Sequence, residues 1–294
     1  MDGTGLVVAR HRRHIDVEDV DRSRHLCLAR RRDLNPLVGD RVLWHREADG
    51  TCVVTEVLDR DSTLTRIDSR GRCEPVAANV TQLLAVAAAA PEPDWFLLDR
   101  YLAAAELMYM RGVVVFNKMD LVEQAPDLLH VYESIGYPVH RISVRARAGL
   151  GTLGAAMRGH RSAMVGQSGV GKSSLLNALL GERAQGTGAL AGKGGHGRHT
   201  TTAATLYRLP AGGELIDSPG VRNYAPYIEE PADVQHGFRE LREQLGRCRF
   251  DDCLHRAEPD CAVKAAVAAG RVDSRRYDSY TKLCALVESL QRKR

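Results

Sequence analysis

Gly166-Gln167-Ser168-Gly169-Val170-Gly171-Lys172-Ser173 has the residue types and spacing of a phosphate-binding turn. A glycine-rich passage from strand to helix lets successive backbone N–H groups wrap a β-phosphate. Lys172 then adds a point charge, and the Ser173 hydroxyl can ligate Mg²⁺, with Ser174 beside it. Earlier in the chain, Asn117-Lys118-Met119-Asp120 places a carboxylate where it could accept from guanine N1–H and the 2-amino group, donors that adenine does not present in that arrangement. A buried carboxylate left unpaired is costly, so Asp120 is the residue that would separate GTP from ATP. In an ordinary small GTPase the phosphate turn precedes the guanine motif. Here the order is reversed.

Two further runs complete a nucleotide site. Arg141-Ile142-Ser143-Val144 could set Ser143 against the guanine. Asp217-Ser218-Pro219-Gly220 follows an apolar run; Asp217 can hold a water on Mg²⁺, and the Gly220 N–H can reach a γ-phosphate. Between the phosphate turn and Asp217 lies a glycine-rich stretch, Gly192 to His199, followed by Thr200-Thr201-Thr202. Such a stretch reads as a switch loop in which a threonine, with Thr201 favoured over Thr200, closes over Mg²⁺. Ras-type enzymes place a glutamine after the Asp-x-x-Gly run to orient the attacking water, whereas this chain has Val221. His199 is the nearest polar candidate for that task, since an imidazole can orient or deprotonate water near neutral pH. The expected catalytic set is therefore His199, Lys172 and Thr201.

Cys248, Cys253, His255 and Cys261 offer three thiolates and an imidazole within fourteen residues. That is the ligand set of a closed structural Zn²⁺ site, one ion per chain, with no open position for chemistry. It would staple a segment that has little core of its own. Cys27, Cys52, Cys73 and Cys284 are scattered, and the expectation for them is reduced, apolar filler.

The elements that must position these groups follow from patterning. Gly112 to Phe116 is a buried-strand run ending at Asn117, so the guanine motif sits at a strand's carboxyl end, where α/β sheets bind ligands. Ser162 to Val165 enters the phosphate turn; Leu175, Leu176, Leu179 and Leu180 then recur at helical spacing, with Gly181 as the stop. Val80 to Ala85 and Glu214 to Ile216 read as further strands, and Asp94 to Met110 as a helix with Trp95, Leu98, Leu102 and Leu107 on one side. Strand–helix alternation from about 77 to 225 implies a parallel sheet covered by helices. Residues 1 to about 75 show short β-like runs (Gly5–Ala9, His25–Ala29, Asp40–Trp44, Cys52–Val57) separated by turns, which suggests a small barrel of the OB or SH3 kind. From 226 onward the chain is polar, helical in character, and holds the Cys/His cluster.

With 294 residues, 44% apolar and 27% charged, the composition is that of a globular protein of two or three domains, not a disordered one. No apolar run approaches the roughly 18–20 residues that span a membrane. With no signal peptide visible at Met1, a cytoplasmic location and no membrane partner are expected. The net charge of +4 does not announce a nucleic-acid partner; basic character is local, at Arg10–Arg13, Arg30–Arg32 and Arg292–Arg294.

Taken together, the ordered motifs resemble the ribosome small-subunit-dependent GTPase A family (RsgA, also called YjeQ). The residues that carry the resemblance are Asn117 to Asp120, Gly166 to Ser174, Gly197 to Thr202, Asp217 to Gly220, and Cys248, Cys253, His255 and Cys261. The resemblance implies a multidomain α/β chain: an OB-type β-barrel over 1–75, a circularly permuted P-loop GTPase domain over 76–225, and a mainly helical zinc domain over 226–294. It also implies GTP hydrolysis stimulated by the 30S ribosomal subunit during late maturation, with 16S rRNA contact, by a monomer. In that family the histidine matching His199 is a proposed catalytic residue. Ser218 stands where the family often has threonine, and the arginine-rich amino-terminal region matches only loosely. Two rivals remain at this stage, a P-loop ATPase or kinase and a non-hydrolysing RNA-binding adaptor. The reversed order also suggests that GTP sets the angle between the zinc domain and the GTPase core, because the chain after Gly220 runs straight into the cysteine cluster.

Overall fold

Five short strands curl into a closed barrel at the amino end of the computed structural model, which describes residues 2–11, 14–30, 34–68, 72–181, 204–218 and 227–292. They are β1 (Asp2–Arg10), β2 (Ile15–Glu18), β3 (Arg24–Ala29), β4 (Arg41–Arg46) and β5 (Cys52–Val57). The order β1-β2-β3-β5-β4 is closed by β4 pairing back on β1, Leu6 opposite Arg41 and Asp2 opposite His45. This is the five-stranded OB-type order and settles the choice the sequence left open. Alternate inward side chains, including Val7, Val17, Val42, Trp44 and Val54, fill the barrel. A hairpin of β6 (Thr63–Ile67) and β7 (Cys73–Ala78) leads out of it.

The barrel revises one expectation. Cys27 and Cys52 are not separate reduced fillers: β3 and β5 run parallel with Cys27 directly opposite Cys52, and the two form a disulfide. Twenty-five residues separate them, and only the register of two strands not adjacent in sequence brings them together. Cys73 is exposed; Cys284 is buried among apolar side chains as expected.

The central sheet is built from β8 (Gln82–Ala88), β9 (Arg111–Asn117), β10 (Val139–Arg141), β11 (Arg161–Gly166), β12 (Ala204–Arg208) and β13 (Glu214–Asp217). Its order is β10-β9-β8-β11-β13-β12, parallel except for β12. β8 is buried along its whole length, which explains its unbroken apolar run. Leu83, Ala85 and Ala87 face α1 (Trp95–Leu107) and α2 (Leu128–Ser134), while Leu84, Val86 and Ala88 face α3 (Leu150–Met157) and α4 (Lys172–Leu180). α1 begins where Asp94 accepts the Leu97 N–H (2.8 Å), an N-cap that satisfies an otherwise orphaned donor. The barrel is continuous with this sheet, because β1 pairs with β12 through Ala9 and Arg10.

Beyond Tyr227 come a 3₁₀ stretch (Pro231–Gly237), α5 (Arg239–Arg242), α6 (Ala262–Ala268) and α7 (Ser274–Gln291). They share a small core, including Val234, Phe238, Val263 and Tyr280, that also takes Ala103 of α1. A buried ion network fastens this unit to the sheet's helices. Asp99 of α1 accepts from Arg275, Arg276 and the Tyr132 hydroxyl, each at 2.7 Å, and Arg276 also pairs with Glu240 at 2.7 Å. Arg276 and Asp99 have no exposed surface. Burial works against the Arg276 charge, but Asp99 and Glu240 outweigh it, so its pKa lies above the ordinary arginine value.

Candidate nucleotide-binding site and metal centre

β11 ends at Gly166, between β8 and β13, and the chain turns at Gly169 and Gly171 before α4 starts at Lys172. Gly171 has a φ of +96°, and a Cβ there would lie 2.6 Å from the Asn117 side-chain nitrogen. Only glycine permits both that backbone and that approach. Val170 is buried beneath the turn, while Ser168, Gly169, Ser173 and Ser174 face outward at its mouth. Lys172 Nζ donates to the carbonyls of Gly166 (2.6 Å) and Gln167 (2.8 Å), which holds the ammonium over the loop. Gln167 Oε1 in turn accepts weakly from the Asp94 N–H (3.4 Å).

The guanine motif leaves β9 and meets this turn directly. Asn117, 2% exposed, donates through Nδ2 to Val170 O (2.9 Å) and accepts from Val144 N–H (3.3 Å). Lys118, in a left-handed conformation, donates to Gly169 O (2.8 Å). Met119, Asp120 and Leu121 form one 3₁₀ turn. Ser143, buried after β10, donates to Asp120 Oδ1 at 2.5 Å, and its own oxygen accepts from Ala146 N–H (3.0 Å). That hydrogen bond, aided by the charges of Arg145 and Lys118, holds the Asp120 carboxyl below the usual carboxylate range.

A cavity of about 380 Å³ opens where the two motifs join, lined by Asn117, Lys118, Asp120, Leu121, Val144, Arg145, Gly171 and Ser174. Residues some fifty positions apart and in reversed order therefore bound one space. Asp217 ends β13, parallel to β11, so it lies at the same carboxyl edge of the sheet. Gly220, Val221, His199, Thr200 and Thr201 lie outside the described residues. The sequence reading set the Arg141–Val144 run against the guanine through Ser143; it missed the lining by Leu121 and Arg145, which flank the two motifs it named. The lysine and asparagine clamps on the turn's carbonyls had no sequence signal.

In the carboxy-terminal unit, the ligand atoms of Cys248, Cys253, His255 and Cys261 all lie within 4.8 Å of one another. Cys248 and Cys261 sulfurs are 3.9 Å apart, close to the roughly 3.8 Å expected across a tetrahedral zinc with bonds of about 2.3 Å. His255 Nδ1 sits 3.4 Å from each of those sulfurs. Its Nε2 pairs with Gln235 Oε1 at 2.8 Å, which assigns the proton to Nε2 and leaves Nδ1 a lone pair for a metal. Burial pushes the Cys253 thiol up to about 12 and holds the His255 pKa below its ordinary value. A neutral imidazole is the ligating form, and a bound cation would offset the cost of thiolates in so dry a place. Tyr277 and Tyr280 hydroxyls donate to the carbonyls of His255 (2.6 Å) and Leu254 (2.8 Å), tying the loop to α7. The residues fit a zinc ion. Gln235 carried no sequence signal.

Comparison with known proteins agrees with this architecture. Residues 57–226 match the model of the RsgA GTPase family. The chain is 45% identical over 290 residues to the small ribosomal subunit biogenesis GTPase RsgA of Azotobacter vinelandii, covering 96% of this chain and 84% of that one. It is 41% identical over 300 residues to the protein of that name from Klebsiella pneumoniae, covering 98% and 85%. Among solved structures, YjeQ from Thermotoga maritima superposes with a TM-score of 0.77 at 34% identity, covering 98% of this chain and 99% of that one. YloQ, a circularly permuted GTPase, gives 0.76 at 27% identity, covering 98% and 96%.

Proposed function

This chain belongs to the RsgA GTPase family, and on that premise we propose that it hydrolyses GTP in the late maturation of the small ribosomal subunit. The observation that carries the reading is the cavity shared by Asp120 and Gly171, with Asn117 and Lys118 clamped onto the phosphate turn. In this reading Asp120 accepts from guanine N1–H and the 2-amino group, with Ser143 steadying it and Met119 held in the same turn. The backbone of Gly166, Gln167, Ser168, Gly169, Val170 and Gly171 receives the phosphates, and Lys172 neutralises them. Ser173 and Thr201 would hold Mg²⁺, with Ser174 beside them and Asp217 at the same edge of the site. Gly220 reports the third phosphate. Bound there, Mg²⁺ would supply charge neutralisation at the transferring phosphoryl group. His199 orients the attacking water in place of a glutamine, because Val221 has no group able to do so. Intrinsic turnover is accordingly low.

The family's ribosomal relatives support the 30S subunit and its 16S rRNA as the stimulating partner, with the OB-type barrel and the zinc-stapled unit as RNA-facing modules. We take 1–75, 76–225 and 226–294 as working domain bounds, a monomer in the cytoplasm, and one zinc on Cys248, Cys253, His255 and Cys261. No described helix is long and apolar enough to cross a membrane.

The deciding experiment titrates GTP hydrolysis with purified 30S subunits, alongside nucleotide competition and zinc content. Stimulation by the subunit, and displacement of labelled GDP by GTP but not ATP, are expected. Equal competition by ATP would sink the guanine assignment. Turnover unchanged by the subunit would sink the ribosomal one. His199→Ala should leave GDP affinity within about twofold and reduce stimulated turnover by roughly 10²–10⁴, the usual span for a general base or water-positioning group.

A further inference from the structure

A second cavity, of about 560 Å³, lies between the barrel and the sheet, at the amino ends of β8, β11 and β13. It is thus on the edge opposite the nucleotide site and shares no residue with it. Its volume is in the range of small-ligand sites and would hold one nucleotide unit. Charge distribution says what kind of group it takes. The floor is internally neutralised: Glu18, Arg208, Glu214 and Arg161 form an alternating chain with contacts of 2.6, 2.8 and 2.7 Å, and Arg161 also donates to Gly39 O (2.6 Å). This chain joins β2 of the barrel to β12, β13 and β11, so the cleft has a rigid base.

The walls are only partly neutralised, by Asp61 beside Arg41. Arg22 projects from the β2–β3 turn and makes no side-chain hydrogen bond or ion pair with any described residue. Arg41, half exposed, gives one nitrogen to Asp61 (3.3 Å) and to the Asp59 carbonyl (3.0 Å), leaving the rest of its fork open. His160 does not offset this charge. Its ring nitrogens meet Thr81 Oγ1 (3.3 Å) and Arg111 (3.2 Å), so the ring is neutral and brings a further guanidinium to the rim. Gly159 and Gly212 leave the far wall without side chains.

We propose that this cleft is a second binding site, independent of guanine nucleotide, for a phosphate ester of nucleotide size, with Arg22 and Arg41 as the groups that take the phosphate. The Arg22 fork, and the Arg41 nitrogens outside its contacts with Asp61 and Asp59, stand above a neutral, preformed floor and are suited to phosphate oxygens. The phosphate could belong to a free nucleotide or to one unit of an RNA strand passing between barrel and sheet.

The test is calorimetric titration of GDP-saturated full-length protein, at low salt, with uridine 5′-monophosphate and separately with single-stranded octauridylate. Neither probe can use the guanine pocket while GDP fills it. Binding of both probes assigns the site to free phosphate esters, and binding of the octamer alone assigns it to an RNA strand. In either case the pair Arg22→Gln with Arg41→Gln should weaken binding about tenfold, with GDP affinity unchanged. A control pair of equal charge loss outside the cleft, Arg72→Gln with Arg271→Gln, should leave the probes' affinity within about twofold. The proposal is overturned if neither probe binds at millimolar concentration, if the cleft variant binds like the parent, or if the control pair loses as much.

Discussion

Asp120 keeps its charge because Ser143 donates to it at 2.5 Å and two cations stand nearby. A depressed carboxyl stays ionised down to its lowered pKa, so the guanine binding proposed for it should persist above that value and be lost only as pH falls through it. GDP affinity should therefore stay level from about pH 8 to about pH 5, below which an ordinary carboxylate would begin to protonate. Ser143→Ala removes the main cause of the depression and should move the acid limb upward while weakening GDP about 5–20-fold at neutral pH. Calorimetry across pH checks both, and an unmoved acid limb in Ser143→Ala would show that the serine does not set the carboxyl. Asp120→Asn should cost on the order of 100-fold in GTP affinity, because an amide presents a donor where guanine N1–H needs an acceptor. At this scale Asn117, Asp120, Lys172 and the cysteine cluster could be read directly from residue type and spacing. Gln235 could not, since a lone glutamine twenty residues from His255 announces nothing until the fold brings it to the imidazole.

Elements with a strong period were equally legible. β9, β11, α1 and α4 lie where the apolar spacing put them, and Gly181 ends α4 at a φ of +61°. β8 runs to Ala88, three residues past the expected end at Ala85, because its apolar run gives no boundary signal of its own. β2 and the β6–β7 hairpin were not singled out: four to six residues give too short an alternation to stand apart from a turn. The metal loop, by contrast, is an element made by its ligands. Gln235→Ala should lower zinc affinity roughly 10–100-fold by freeing the His255 ring, read by competition with a chromophoric chelator. Unchanged zinc affinity would mean that the glutamine does not orient the ligand.

For the whole molecule, the Asp99 network governs how the zinc-type unit sits on the GTPase core. Sequence order suggested that GTP sets the angle between these units by acting beyond Gly220. The network adds a constraint, because any swing about α1 must separate Asp99 from Arg275 and Arg276 in a buried setting. Asp99→Asn leaves Arg275 without a charged partner among the described residues and Arg276 with Glu240 alone, and should cost roughly 3–5 kcal/mol of local stability. Hydrogen exchange should show faster opening of α7 with the central sheet protected. Exchange in α7 that matches the parent would mean that the network does not hold the unit. The barrel, in turn, is wired to the sheet by β1–β12 pairing and the Glu18–Arg208 contact, next to the strand that follows the proposed switch loop.

Sequence alone determined the strand–turn–helix context of the phosphate turn and the candidate metal ligands, because each rests on residues close together in the chain, and the family, because the order of its motifs is written along the chain. Tertiary structure alone decided three things: that Asn117 and Lys118 clamp the turn at Val170 and Gly169, that Cys27 meets Cys52, and that four alternating charges join barrel to sheet. All three depend on strand order and register between distant segments. Those are set by how the whole set of apolar faces packs at once, and no short window of sequence contains them.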